Sequence, residues 1–324
     1  MSLLGVNGHL VNVQVDISSG LPSWDVVGLP DISIKESKQR VRAALKNIGV
    51  DLPSRKVIIN LAPADLKKEG PFFDLPIAVG ILCDLKIIPK TNLESYVFIG
   101  ELSLDGKLNR INGILPMCIE AYNLGIKKVI IPYENRHEAS IVKGLEVYPA
   151  NSIEEVIDHL NNNKYIKKFE TNSDDFFSIQ NFYDLDFADV KGQEHIKRAL
   201  EIAAAGGHNC LLIGSPGSGK TMMARRLPSI LPDLTFEESL EITKIHSIAG
   251  VLPQNNGLIT ARPFRSPHHT ISKAALVGGG AIPKPRRNEF SSLWCSLLRW
   301  NSWIQTRNFR TNAHTSWRWD NYNK

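Results

Sequence analysis

The stretch Gly214-Ser215-Pro216-Gly217-Ser218-Gly219-Lys220-Thr221 constrains this chain more than any other, because it fits G-x-x-x-x-G-K-[ST], the phosphate-binding loop. Ahead of it, Asn209-Cys210-Leu211-Leu212-Ile213 is a short apolar run that reads as a buried strand. Behind it, Met222-Met223-Ala224-Arg225-Arg226-Leu227 is rich in helix formers. Strand, glycine loop and helix are the context that the motif needs. The glycines let successive N–H groups curl inward as an anion nest, and the helix start adds its positive dipole end. Lys220 is then placed to reach the β- and γ-phosphates, and the Thr221 hydroxyl to hold Mg2+. The motif predicts an α/β unit that binds ATP.

The 324 residues suffice for two domains. A 43% hydrophobic and 22% charged composition is that of a soluble globular protein. No apolar run reaches the length of a membrane span, and the N-terminus has neither the basic region nor the apolar core of a signal peptide. Cys83, Cys118, Cys210 and Cys295 are scattered, which argues against a zinc site and fits a reducing cytoplasm. The net charge of +5 is not evidence of a nucleic-acid partner. Residues 286–324 hold seven Lys/Arg against two acids, so the rest of the chain sums to zero. Five of the six tryptophans (Trp294, Trp300, Trp303, Trp317, Trp319) share that tail, an abrupt change of composition.

Period-two alternation of Val11, Val13, Val15 and Ile17 predicts a half-buried strand, with residues 24–28 across the Ser18-Ser19-Gly20 turn as its partner. Helical spacing of Ile34, Val41, Ala44 and Leu45 predicts a helix over 33–47 that stops at Gly49. Strands are predicted at 57–61, 129–132 and 145–148. An apolar helix is predicted at 73–82, a hairpin at 97–108 around Asp105-Gly106, and helices at 117–124 and 153–160. Together these describe an α+β domain over residues 1–160. The polar stretch 161–184 reads as a linker, and a second domain begins near residue 185 with a helix from Glu194 to Ala205.

Several motifs together resemble one family. They are Asp16-Ile17-Ser18-Ser19-Gly20-Leu21-Pro22, Val27-Gly28-Leu29-Pro30-Asp31, Asn60 to Gly70, Arg262-Pro263-Phe264-Arg265-Ser266-Pro267-His268-His269-Thr270 and Val277-Gly278-Gly279-Gly280. Over residues 3 to 285 the chain resembles the ComM/YifB family of magnesium-chelatase-like AAA+ ATPases. The resemblance implies an N-terminal α+β domain of Lon-protease type, a fold shared with a ribosomal-protein domain, followed by an incomplete P-loop AAA+ α/β domain over 185–285. It also implies ATP and Mg2+ as cofactors, a homo-hexamer, and action on DNA in competence and recombination, with no membrane. Glu69-Gly70-Pro71-Phe72 falls where Lon carries its nucleophile, and Gly113-Ile114-Leu115 where Lon carries its catalytic lysine. Phenylalanine and leucine can serve neither role, so proteolysis is not expected and an interaction or scaffold role is the alternative. Adjacent His268 and His269 point to opposite sides of an extended segment and make a poor metal pair. The run Lys35 to Arg40 reads as a solvated helix face.

In the resembled family, an apolar strand ending Asp-Glu should follow soon after Pro285. Here the match stops at Arg286, and no Asp-Glu follows. Leu293-Trp294-Cys295-Ser296-Leu297-Leu298-Arg299-Trp300 can be encoded so that a frame one base later reads Tyr-Gly-Val-Leu-Phe-Leu-Asp-Gly, which resembles the missing strand. One stray base near the Pro285 codon would produce this. Residues 286–324 are therefore expected to be an out-of-frame tail that does not pack as a native element, and hydrolysis by this chain is expected to be near zero.

Overall fold

The computed structural model describes residues 1–91, 93–171, 185–253 and 257–265, and the backbone of 295–296. Two compact units emerge. The first joins Met1–Ile179 to Ser239–Ile259, and the second joins Gln180–Glu238 to Thr260–Lys324.

The first unit opens with a short antiparallel hairpin of β1 (Ser2–Leu4) and β2 (Asn7–His9). Next come β3 (Asn12–Ser18), β4 (Ser23–Val27), α1 (Ile32–Asn47) and β5 (Lys56–Ala62). The strand order is β3-β5-β4. The predicted pairing of residues 24–28 with β3 is therefore wrong. β5 lies between them, antiparallel to β3 and parallel to β4. Val57, Ile59 and Leu61 on alternate positions of β5 are buried, so the strand with the strongest apolar face takes the centre. α1 starts at Asp31, whose carboxylate accepts the Ile34 N–H at 2.8 Å and the Gly70 N–H at 3.2 Å. Its buried face is Ile34, Ser37, Val41, Ala44 and Leu45, and the chain leaves it through Gly49 at φ 82°.

α2 (Asp74–Asp84) is apolar nearly all round and is the central helix of the unit, with Leu75, Ile77, Ala78, Val79, Ile81 and Leu82 buried. The predicted 97–108 hairpin divides in two. β6 (Tyr96–Phe98) joins a parallel sheet, while β7 (Glu101–Leu102) pairs with β8 (Leu108–Asn109). The break falls at Gly100, whose N–H donates to the Phe72 carbonyl and whose carbonyl accepts the Leu75 N–H. The rest of the unit is α3 (Ile114–Asn123), β9 (Lys128–Pro132), α4 (Arg136–Ala139), β10 (Glu146–Ala150) and α5 (Ile153–Leu160). β10, β9 and β6 form a parallel sheet in that order, and central β9 buries Val129, Ile130 and Ile131.

The second unit contains α6 (Glu194–Gly206), closed by Gly207 in the left-handed region, and α7 (Lys220–Arg226). Its small core gathers Phe187, Val190, Leu200 and Met223. A further helix, α8 (Phe236–Ala249), begins in this unit and has most of its length in the first. Sequence periodicity missed it because its buried face is largely polar: Ser239, Thr243 and Ser247. A T-x-x-E capping box did mark its start. The Glu238 N–H donates to Thr235 Oγ1, and the Thr235 N–H donates to the Glu238 carboxylate. Cys295–Ser296 forms a two-residue parallel ladder with Phe264–Arg265, so this much of the 286–324 stretch pairs with the chain before it. The remainder of that stretch, including Trp294 and Trp300, lies outside the described residues.

Candidate nucleotide-binding site

The loop at 214–221 is built largely as the motif demands. Gly217 and Gly219 sit at φ 84° and 81°, backbone that other residues adopt only at a cost, and α7 starts directly at Lys220. The Ser218 N–H closes onto the Ser215 carbonyl at 3.3 Å. The Lys220 ammonium lies inside the loop, 2.9 Å from the Gly214 carbonyl, 2.7 Å from the Ser215 carbonyl and 3.1 Å from Ser218 Oγ. Gln193 steadies the loop from the side, with Nε2 donating to the Ser218 carbonyl at 3.2 Å. Gly214, Ser215, Pro216 and Gly217 are exposed, and Ser218, Gly219, Lys220 and Thr221 are half-buried. Met223, on the inner face of α7, fixes the helix to the small core. Gln193 escaped the sequence reading. A left-handed glutamine just before a helix has no signature of its own.

The strand expected before the loop is a correction. Asn209–Ile213 takes no strand conformation, and Leu211 and Ile213 are 70% and 87% exposed. A parallel strand cannot stand alone: its N–H and C=O groups need neighbours on the ladder, and its side chains need covered faces. Among the described residues no strand pairs with this segment.

The residues fit a phosphate group with one bound cation. The loop presents one ammonium, which its own carbonyls now hold, and phosphate oxygens could take their place. Among the described residues, no hydrogen bond engages the Thr221 hydroxyl. The described residues include no cluster of three His, Cys, Asp or Glu able to hold a metal by itself, and His268 and His269 lie outside them.

The first unit bears on proteolysis. The Phe72 ring is buried and folds back over Gly70, while Leu115 is fully buried in α3. Neither position offers a nucleophile or a base. The Leu115 N–H donates to the carboxylate of Glu138 at 3.0 Å, and Asn135 bridges the Ile111 backbone, its Oδ1 accepting the N–H at 3.0 Å and its Nδ2 donating to the carbonyl at 2.8 Å. Glu138 is a buried carboxylate that the sequence reading did not single out, and burial raises its pKa. A cavity of about 600 Å3 is also found in this unit, lined in part by Tyr133, Glu155, Tyr165, Lys168 and Phe169. Lys168 in its lining lies 2.9 Å from Glu170. No described helix is long and apolar enough to cross a membrane.

Comparison with known proteins gives two successive family matches. Residues 13–135 match the family model described as subunit ChlI of Mg-chelatase, and residues 186–291 match that of magnesium chelatase, subunit ChlI. The chain is 42% identical over 290 residues to competence protein ComM of Haemophilus influenzae, covering 87% of this chain and 55% of that protein. It is 43% identical over 282 residues to the uncharacterized protein YifB of Escherichia coli, covering 87% of this chain and 54% of that one. Lon protease 2 of Bacillus subtilis is 28% identical over 178 residues, 49% of this chain and 32% of the protease. The chain thus spans about half the length of its ComM and YifB relatives. With a Lon-like α+β domain leading into a P-loop α/β unit, the chain belongs to the ComM/YifB family of magnesium-chelatase-like AAA+ ATPases.

Proposed function

We propose that this chain binds ATP with Mg2+ through Gly214–Thr221 and, by itself, hydrolyses it poorly. The observation that supports the reading best is the Lys220 ammonium held within 3.1 Å of three oxygens of its own loop. Phosphate oxygens would replace those partners, Lys220 would neutralise the β- and γ-phosphates, and Thr221 would hold the Mg2+ that the nucleotide brings. Weak turnover follows from chemistry. No Asp-Glu strand follows Pro285 in this sequence to hold the metal and polarise a water. Among the described residues no sheet backs the Leu211–Ile213 segment either, and a rigid sheet is what preorganises such a site. The linear division goes with this reading: a Lon-like domain to residue 160, a linker over 161–184, an AAA+ part over 185–285 and an out-of-frame tail over 286–324. DNA as partner, hexamer assembly and a cytoplasmic location extend the same reading from the family.

A fluorescent ATP analogue titrated against wild type and Lys220→Ala tests the binding. A lost charge-assisted contact of about 1.5–3 kcal/mol predicts roughly 10- to 100-fold weaker binding. Equal affinities would instead favour a non-catalytic scaffold acting through the first unit, a reading supported by the inert Phe72 and Leu115. Lys220-dependent steady-state turnover would overturn the claim of poor hydrolysis.

A further inference from the structure

Residues 239–259 follow the phosphate loop in sequence and lie within the second family match, yet they pack as part of the first unit. Their seat is specific. The Gly113 N–H donates to the Ser247 carbonyl at 3.0 Å. The Ser247 hydroxyl donates to the Glu138 carboxylate, which also accepts the Leu115 N–H and, at 3.4 Å, the Asn135 amide. Arg110 Nη2 donates to the Leu252 carbonyl at 2.8 Å. Ile248 is in van der Waals reach of Gly113, and Asn112 lies against Gly250, where a larger residue than glycine would intrude. Ser239, Thr243 and Ser247 recur every fourth residue and so share one face of α8, and all three are buried. Thr243 Oγ1 accepts the Ile259 N–H at 3.0 Å and ties the returning chain to the helix.

The hydrophobic core beneath is complete without this segment. The continuous core cluster of the first unit runs from Met1 to Val156 and includes no residue of 239–259, although Ile242, Leu252 and Leu258 are themselves buried. The segment therefore covers a domain whose apolar core its own buried Ile242, Leu252 and Leu258 do not join, and small polar side chains line much of its buried face. Elements held by few apolar contacts open at lower free energy than the core they cover. Lifting this one leaves Glu138 with the donors from Leu115 and Asn135 and admits water to the rest, so no bare carboxylate is stranded.

We infer that loop Arg110–Leu115 with Glu138 is a docking surface whose occupant is residues 239–252 of this same chain, and that the occupant undocks as a unit while the domain beneath stays folded. The inference does not depend on nucleotide binding. Hydrogen exchange followed by mass spectrometry on the full chain tests it. Amides of 240–251 should exchange faster than those of Val57–Leu61, and the Gly113 and Leu115 amides should open in step with 240–251. Ser247→Ala should speed exchange across 240–251 and at Gly113 at least tenfold and leave Val57–Leu61 within twofold. Arg110→Gln, which removes the grip on the Leu252 carbonyl, should act in the same direction. Exchange of 240–251 and Val57–Leu61 at one common rate would make the segment an integral part of the domain. Acceleration of 240–251 without Gly113 and Leu115 would mean fraying of the helix and not undocking. Either result overturns the inference.

Discussion

Replacing Arg40 by alanine should cost the first unit about 3–5 kcal/mol, and the loss should shrink as pH falls. Arg40 grips Asp74 with Nε to Oδ2 at 2.6 Å and Nη2 to Oδ1 at 3.0 Å, and Nη2 also reaches the Ser33 carbonyl at 3.0 Å. Asp74 has no solvent exposure, and its only other donor among the described residues is the Leu102 N–H at 3.2 Å. Truncating Arg40 leaves a buried carboxylate nearly alone, the case in which breaking a buried pair costs about 3–5 kcal/mol. Even with its partner, burial pushes the Asp74 carboxyl up from 3.8 to about 6, against the lowering effect of the guanidinium. Without that effect the folded-state value must rise further. A carboxyl whose folded pKa lies above its unfolded one binds its proton more tightly when folded. Stability is therefore gained as pH falls through the folded value and is complete below the unfolded value. Each pH unit in that window is worth about 1.4 kcal/mol for one proton. Urea unfolding followed by circular dichroism at pH 8, 7 and 5, on wild type and Arg40→Ala, measures the difference. A deficit below about 1 kcal/mol at pH 8 would refute the pairing argument. A deficit that does not change between pH 8 and 5 would refute the assignment of the cost to a stranded charge.

Gly28→Ala should destabilise the first unit severely, because Gly28 sits at φ 98° and an added Cβ would overlap the Leu61 carbonyl of central β5; a melting temperature within a degree of wild type would contradict this. His159 should act as a clasp on the segment that follows α5. Its Nδ1 accepts the Ile166 N–H at 3.1 Å, and burial lowers its pKa. A depressed histidine contributes stability that is present above its unfolded value of 6.5 and is lost as pH falls through the folded value. After correction for the intrinsic pH dependence of exchange, Ile166 protection should persist at pH 8 and be lost in acid, once the pH has fallen below 6.5 and through the depressed folded value; a flat profile would count against the clasp.

Local chemistry made much of this protein legible from its residues. The phosphate loop needs only its own glycines to turn, and the structure shows their positive φ angles and the lysine at the loop's centre. α1 and α2 announced themselves through apolar spacing, and the inertness of Phe72 and Leu115 follows from their side chains alone. The Thr235–Glu238 box was also there to be read.

Other features depend on partners far away in sequence. That β5 separates β3 from β4 depends on which strand can bury its alternate residues on a crowded sheet, and a turn signal at Ser18-Ser19-Gly20 carries no information about that competition. An apolar pentapeptide at 209–213 becomes a strand only when neighbours accept its backbone groups, so its periodicity could not say whether it would be buried. Glu138, Asn135 and Ser247 are unremarkable in sequence. Folding brings Ser247 onto a carboxylate more than a hundred positions earlier in the chain, and a helix whose first residues belong to the second unit has most of its length in the first. Short-range sterics and hydrogen bonding write motifs into a chain, whereas packing decides which polar groups meet, because only the assembled core excludes the water that would otherwise satisfy them.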